Sequence, residues 1–129
     1  MSLTVPADVL ERAQQGNVSD GDFITCIQAS LPYAWSVITA LTTKAAPSGA
    51  PFADNHTPPP DEQARGELLR MMASDAMRGA VERHFGVRLA FQNCHRAAIF
   101  TPRASEDLYY EFVSARAQLL NQSPELVNC

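Results

Sequence analysis

The stretch from Asp61 to Phe85 constrains the fold most, because a long helical repeat ends there at an abrupt change of period. Leu68, Leu69, Met72, Ala76, Met77, Ala80, Val81 and Phe85 recur at three- and four-residue spacing, which lines one side of an α-helix with apolar side chains. Asp61 and Glu62 open the segment, and Arg83 and His84 close it just before Gly86. That order suits the helix dipole and the glycine that commonly follows a helix. Asp61 and Arg65 stand four residues apart, where an ion pair spans one turn. Beyond Gly86 the period becomes two. Val87, Leu89 and Phe91 alternate with Arg88, Ala90 and Gln92, and a second short run from Arg96 to Phe100 ends at Thr101-Pro102. The pattern predicts one central helix over 61–85 followed by a β-hairpin over 87–101.

The remaining segments are helical or proline-rich. Pro6 to Gln15 reads as a short helix with Val9, Leu10 and Ala13 on one stripe and Gly16 at its end. Ser19-Asp20-Gly21-Asp22 is a capping-box-like start. Phe23, Ile27, Leu31, Trp35 and Ile38 then follow at helical spacing to about Thr43, with Pro32 predicting a kink or break and Ser30 a new cap. Lys44 to Pro60 carries three consecutive prolines (Pro58 to Pro60) and reads as a loop, in the first place a mobile connector and in the alternative a segment that Phe52 pins to the core. Ser105 caps a last helix whose Leu108, Phe112, Ala115 and Leu119 face inward. The expected fold is mainly α: a bundle of four to five helices with a small β-hairpin before the last helix, or α+β if the hairpin is longer. Residues 1–129 form a single domain with an internal loop over 44–60.

A chain of 129 residues, 46% hydrophobic and 19% charged, buries a core of ordinary size and is not disordered throughout. Its net charge of -4 argues against a surface built for nucleic acid, which needs a broad basic footprint. The first residues lack the basic patch and apolar run of a secretory leader, and no stretch reaches the roughly 18 apolar residues of a membrane span. Cys26, Cys94 and Cys129 form no CxxC pair and no disulfide framework. These features predict a cytoplasmic protein without a membrane partner. One lysine beside nine arginines and nineteen alanines is the bias that GC-rich codons produce.

Charge is uneven along the chain. Arg78, Arg83, Arg88, Arg96 and Arg103 share residues 78–103 with one acid, Glu82, so this stretch carries +4 and the remainder -8. A hairpin beside a helix end gathers guanidiniums into a cradle for a carboxylate or phosphate, unless acids of neighbouring helices pair with them. Arg83, Arg88 and Arg96 are the candidate ligand-binding arginines, with Trp35 and Phe52 as candidate aromatic lining. Asp54 and His84 are candidate acid–base groups, and Cys94 with His95 a candidate nucleophile region. Adjacent strand residues point to opposite faces, so Cys94 and His95 make no dyad unless the turn reorients them; His84 is the better base for Cys94. Neither metal-ligand spacing nor a phosphate-binding or nucleophile-elbow motif occurs, so no metal or cofactor is expected.

Three phrases of the sequence belong together: Phe52-Ala53-Asp54-Asn55, Pro58-Pro59-Pro60-Asp61-Glu62-Gln63-Ala64-Arg65-Gly66, and Glu82 through Arg96. With Gln118 to Leu126 they resemble an uncharacterised family of small actinobacterial proteins of about this length. That resemblance implies a bacterial cytoplasmic origin and, by analogy, work beside natural-product enzymes; it transfers no activity. The leading expectation is an accessory or binding protein that holds an anionic small molecule or an acidic partner at its arginine-rich hairpin. The alternatives are a cofactor-free tailoring enzyme (cyclase, isomerase or hydrolase) using acid–base or cysteine chemistry, and a homodimeric helical regulator acting by protein contact.

Overall fold

Ser19 opens the first long helical unit with a reciprocal capping box: its Oγ accepts from the Asp22 amide, and the Asp22 carboxylate accepts from the Ser19 amide. The computed structural model describes residues 3–92 and 96–120. The elements run α1 (Ala7–Gln14), α2 (Asp20–Ser30), α3 (Pro32–Ala45), β1 (Phe52–Asp54), α4 (Glu62–Ala73), α5 (Asp75–Phe85), β2 (Arg88–Gln92), β3 (Arg96–Phe100), α6 (Glu106–Phe112) and α7 (Ala115–Leu120). The fold is mainly α with a small β part, as expected, although the described residues form more helices than four or five because three predicted segments are broken.

Each break has a local cause. Pro32 takes the first position of α3, and α2 and α3 meet at 111°. Ser30 does not cap the new helix; its Oγ accepts from the Thr4 amide instead. The Tyr33 amide of α3 donates across the fold to Oε1 of Glu67, a buried side chain of α4. A carboxylate from another helix thus satisfies one of the orphan donors that a local cap would serve. The helix predicted over 61–85 divides at Ser74, whose extended backbone ends α4 and whose Oγ accepts from the Met77 amide to start α5. Arg78 then donates to the Met72 carbonyl that the break exposes. The last helix divides in the same way, with Ser114 Oγ accepting from the Ala117 amide.

The Asp61–Arg65 pair also differs from expectation. Asp61 caps α4 by accepting from the Ala64 amide, and Arg65 pairs with Glu62 at 2.6 Å. The N-cap geometry uses the Asp61 carboxylate before an i,i+4 partner can reach it.

The hairpin forms as predicted and gains a third strand. β1, from within the proline-rich stretch, pairs antiparallel with β3, giving the order β1-β3-β2. Alternation then assigns the two faces. Ala53, Leu89, Ala97 and Ile99 join the main core with Ile27, Leu31, Ile38, Leu68 and Met71 of the helices. Phe52, Ala90, Ala98 and Phe100 face the other way and pack against Phe112 and Tyr109 of α6. The sheet therefore separates a helical layer, α2 to α5, from a smaller cover of α6 and α7. Among the described residues, no single helix is long and apolar enough to cross a membrane.

Candidate anion site

The five arginines of residues 78–103 do not converge. Arg78 pairs with Asp75 at 2.6 Å on its own helix. Arg83 makes a two-pronged bond to Asp20 at the start of α2, with Nε at 2.6 Å and an Nη at 3.0 Å. Hydrogen bonding by Arg83 holds the Asp20 carboxyl below the usual carboxylate range, and Arg12 does the same to Asp22. Arg96 lies beside Asp54, with Nε at 2.7 Å and the other nitrogen at 2.6 Å. These three guanidiniums are committed to carboxylates of the protein itself.

Arg88 is held differently. Its guanidinium lies 3.5 Å from the ring centre of Tyr109, a cation–π stack. The nearest carboxylate oxygen belongs to Glu106 at 3.7 Å, long for a charge-assisted bond. Strand β2 starts at Arg88 directly opposite Phe100, so its side chain rises on the α6 side of the sheet. There a cavity of about 280 Å³ opens, walled by Gly86, Arg88, Thr101, Ser105 and Tyr109. Gly86 supports this corner with φ +65, the left-handed turn that ends α5 and turns the chain into β2.

The sheet's other end carries a polar chain that runs from β1 to α6. Asp54 accepts from Arg96, Arg96 donates to Oε1 of Gln92 at 2.9 Å, and Gln92 donates to the Phe112 carbonyl at 2.7 Å. Gln92 is 2% exposed, so its amide needs both partners. His56 Nε2 stands 3.0 Å from the same Asp54 oxygen at the solvent edge. Phe52 meets this group from below, with ring centres 5.2 Å from Phe100 and 5.9 Å from Phe112. The aromatic residue of the loop is thus pinned to the core, the alternative to the mobile connector expected for this stretch. Phe52, Arg96, Gln92 and Phe112 share the wall of a cavity of about 200 Å³ with Arg116.

The candidate acid–base residues fall apart into two groups. Asp54 lies on the α6 side of the sheet, fixed by Arg96. His84 belongs to α5 on the opposite layer, where its ring meets Trp35 at 5.3 Å and Phe85 at 4.8 Å. Trp35 also packs on Phe85 at 5.1 Å, so it serves the helical layer rather than the wall of the Arg88 cavity. The sheet between them keeps Asp54 and His84 from acting on one substrate. Cys94 and His95 lie outside the described residues. No three metal-ligating side chains gather among the described residues.

Three contributions escaped sequence reasoning: the buried Gln92, Glu67, and Tyr109 as a platform for Arg88. Gln92 shares the alternating positions of β2 with the exposed Arg88, so the pattern alone reads it as a solvent-facing polar residue. The others act through tertiary neighbours and left no local mark.

The architecture defines a small, mainly helical domain with a three-stranded antiparallel sheet and a basic corner at the start of β2. The chain matches over residues 1–129 a KH-labelled family described as NucS shadow ORF, and it belongs to that family. The description names a reading frame and no activity. No curated protein and no solved structure matches the chain significantly.

Proposed function

We propose that the protein is a non-enzymatic binding protein that holds a small anion at Arg88. The observation behind this reading is the contrast among the arginines. Arg78, Arg83 and Arg96 sit 2.6 Å from carboxylates of the chain, whereas Arg88 is stacked on Tyr109 with Glu106 only at 3.7 Å. A stacked guanidinium is oriented before any ligand arrives, which lowers the ordering cost of binding. The cavity beside it, about 280 Å³, suits a ligand smaller than a typical drug molecule.

The KH label points toward nucleic acid, since KH modules clamp four backbone nucleotides with a GXXG loop. No two glycines in this chain stand three apart, and the net charge is -4. A small anion therefore fits the residues better than a nucleic-acid backbone. Calorimetric titration with inorganic pyrophosphate and with succinate tests the reading. Arg88→Ala is expected to weaken whichever anion binds at least tenfold; identical heats for the variant and the native chain sink the proposal.

Contact with a protein partner is the second reading. Its support is the exposed apolar side of α6 and α7, where Tyr110 is 56% exposed, Leu119 73% and Leu120 63%. A self-associating chain sediments above its monomer mass at micromolar concentration. Monomer mass throughout removes the homodimer.

A further inference from the structure

Arg103 is the remaining arginine of the basic stretch, and its surroundings differ from those of the other four. No acid and no hydrogen-bond acceptor reaches its guanidinium among the described residues; only its backbone amide is engaged, donating to Thr101 Oγ1 at 3.4 Å. The guanidinium lies against the backbone of Gly49. A Cβ at residue 49 would stand 2.9 Å from one of its terminal nitrogens and 3.2 Å from its central carbon. Gly49 also has φ +63, so the position both needs a glycine for its backbone and uses the missing side chain as room for the arginine.

The guanidinium borders a cavity of about 280 Å³ whose other walls are Ala45, Ala46, Ala50, Thr101 and Pro102. Two hydrogen-bonded turns build those walls. On one side the Gly49 amide donates to the Ala46 carbonyl and the Ala50 amide to the Ala45 carbonyl. On the other, the Ala104 amide donates to the Thr101 carbonyl. The Thr101 hydroxyl ties the two turns together by donating to the Ala50 carbonyl at 3.0 Å, and the Thr101 amide donates to the Pro51 carbonyl at 3.0 Å. The backbone groups in these bonds are thus occupied internally. What faces the cavity is small apolar surface and one cation.

We infer that this slot between the end of α3 and the turn before α6 is a binding site for a fragment-sized monocarboxylate, its apolar body among the alanines and its carboxylate on Arg103. The planar fork of a guanidinium matches a carboxylate with two parallel N–H···O bonds. A single cation with no second positive group in the wall matches one negative charge better than a phosphate dianion. The volume lies just under the ~300 Å³ at which pockets for drug-sized ligands begin, which sets the ligand near a single ring or a short branched chain. The site is separate from the Arg88 cavity: the two share Thr101 and Pro102 in their walls but use different cations.

Amide NMR titration of the full chain with benzoate, benzamide and inorganic phosphate tests the assignment. Benzoate is expected to shift the amides around Gly49, Ala50 and Arg103 in a saturable way, with benzamide and phosphate at least tenfold weaker there. Arg103→Gln, at an exposed position, is expected to weaken benzoate at least tenfold, and Ala46→Leu to do the same by filling the slot mouth. Arg88→Ala is expected to leave the benzoate response unchanged. Equal binding of benzoate and benzamide, or undiminished benzoate binding by Arg103→Gln, overturns the inference. Loss through Arg88→Ala with Arg103→Gln unaffected moves the ligand to the other cavity and overturns it equally.

Discussion

Replacing Arg96 by alanine is expected to lower the unfolding free energy by about 2–4 kcal/mol, far more than removal of an ordinary surface arginine. The side chains of Arg96 and Asp54 are 19% and 12% exposed, so the pair sits largely out of water. Truncation leaves the Asp54 carboxylate without either of its arginine hydrogen bonds and Gln92 Oε1 without its donor. Phe112 loses the cation 5.3 Å above its ring. The cost arises from those stranded polar groups rather than from the net worth of the ion pair. A double variant, Arg96→Leu with Asp54→Leu, is therefore expected to be more stable than Arg96→Ala alone. Urea unfolding followed by circular dichroism measures both. A loss under ~1 kcal/mol for Arg96→Ala would mean that the pair behaves as a solvated surface bridge.

The same pair shows why the sequence was more informative about the fold than about the site. Helix starts at Ser19, Asp61 and Ser105 were legible because a cap is a local event, a side-chain oxygen reaching an amide three residues ahead. Ser74 and Ser114 use the same chemistry inside segments of unbroken apolar periodicity, and the stripe concealed them. β1 is three residues long, too short to show alternation, so only its pairing with β3 reveals it as a strand. The arginine cluster was legible as charge but not as geometry. Arg83 and Asp20 are 63 residues apart, Arg96 and Asp54 42 apart, and a count of local charge contains neither partner. The expectation that acids of neighbouring helices pair with such arginines holds for Arg83, while Arg78 pairs within its own helix and Arg96 with a carboxylate of β1. These pairings leave Arg88 and Arg103 as the cations whose placement an anion could use.

Separation by the sheet also bears on the enzyme alternative. A general base acts within hydrogen-bond reach of the proton it takes. Asp54 already holds Arg96 and His56, while His84 is stacked in the helical layer. An acid–base pair built from these two residues is excluded by the layer order alone.

Leu31→Ala is expected to cost about 3–4 kcal/mol, in the upper part of the range for a buried leucine. The side chain is fully buried, and the residue closes one helix and opens the next. Its amide donates to the Ile27 carbonyl and its carbonyl accepts from the Trp35 amide, at φ -127 and ψ 58. Cavity cost depends on how far the surroundings can collapse. Here the backbone is fixed from both helices, and the Glu67 carboxylate ties the first turn of α3 to α4. Little collapse is available, so most of the void remains. The melting temperature should fall by roughly 10 °C in a domain of this size. Leu10→Ala serves as the control: Leu10 is 51% exposed on α1 and should change stability by no more than about 0.5 kcal/mol. Leu31→Met, which nearly conserves volume, should cost under ~1.5 kcal/mol. If Leu31→Ala lost as little as Leu10→Ala, the 111° corner would have to relax around the void, and the rigid junction that sets α3 against the sheet would not exist.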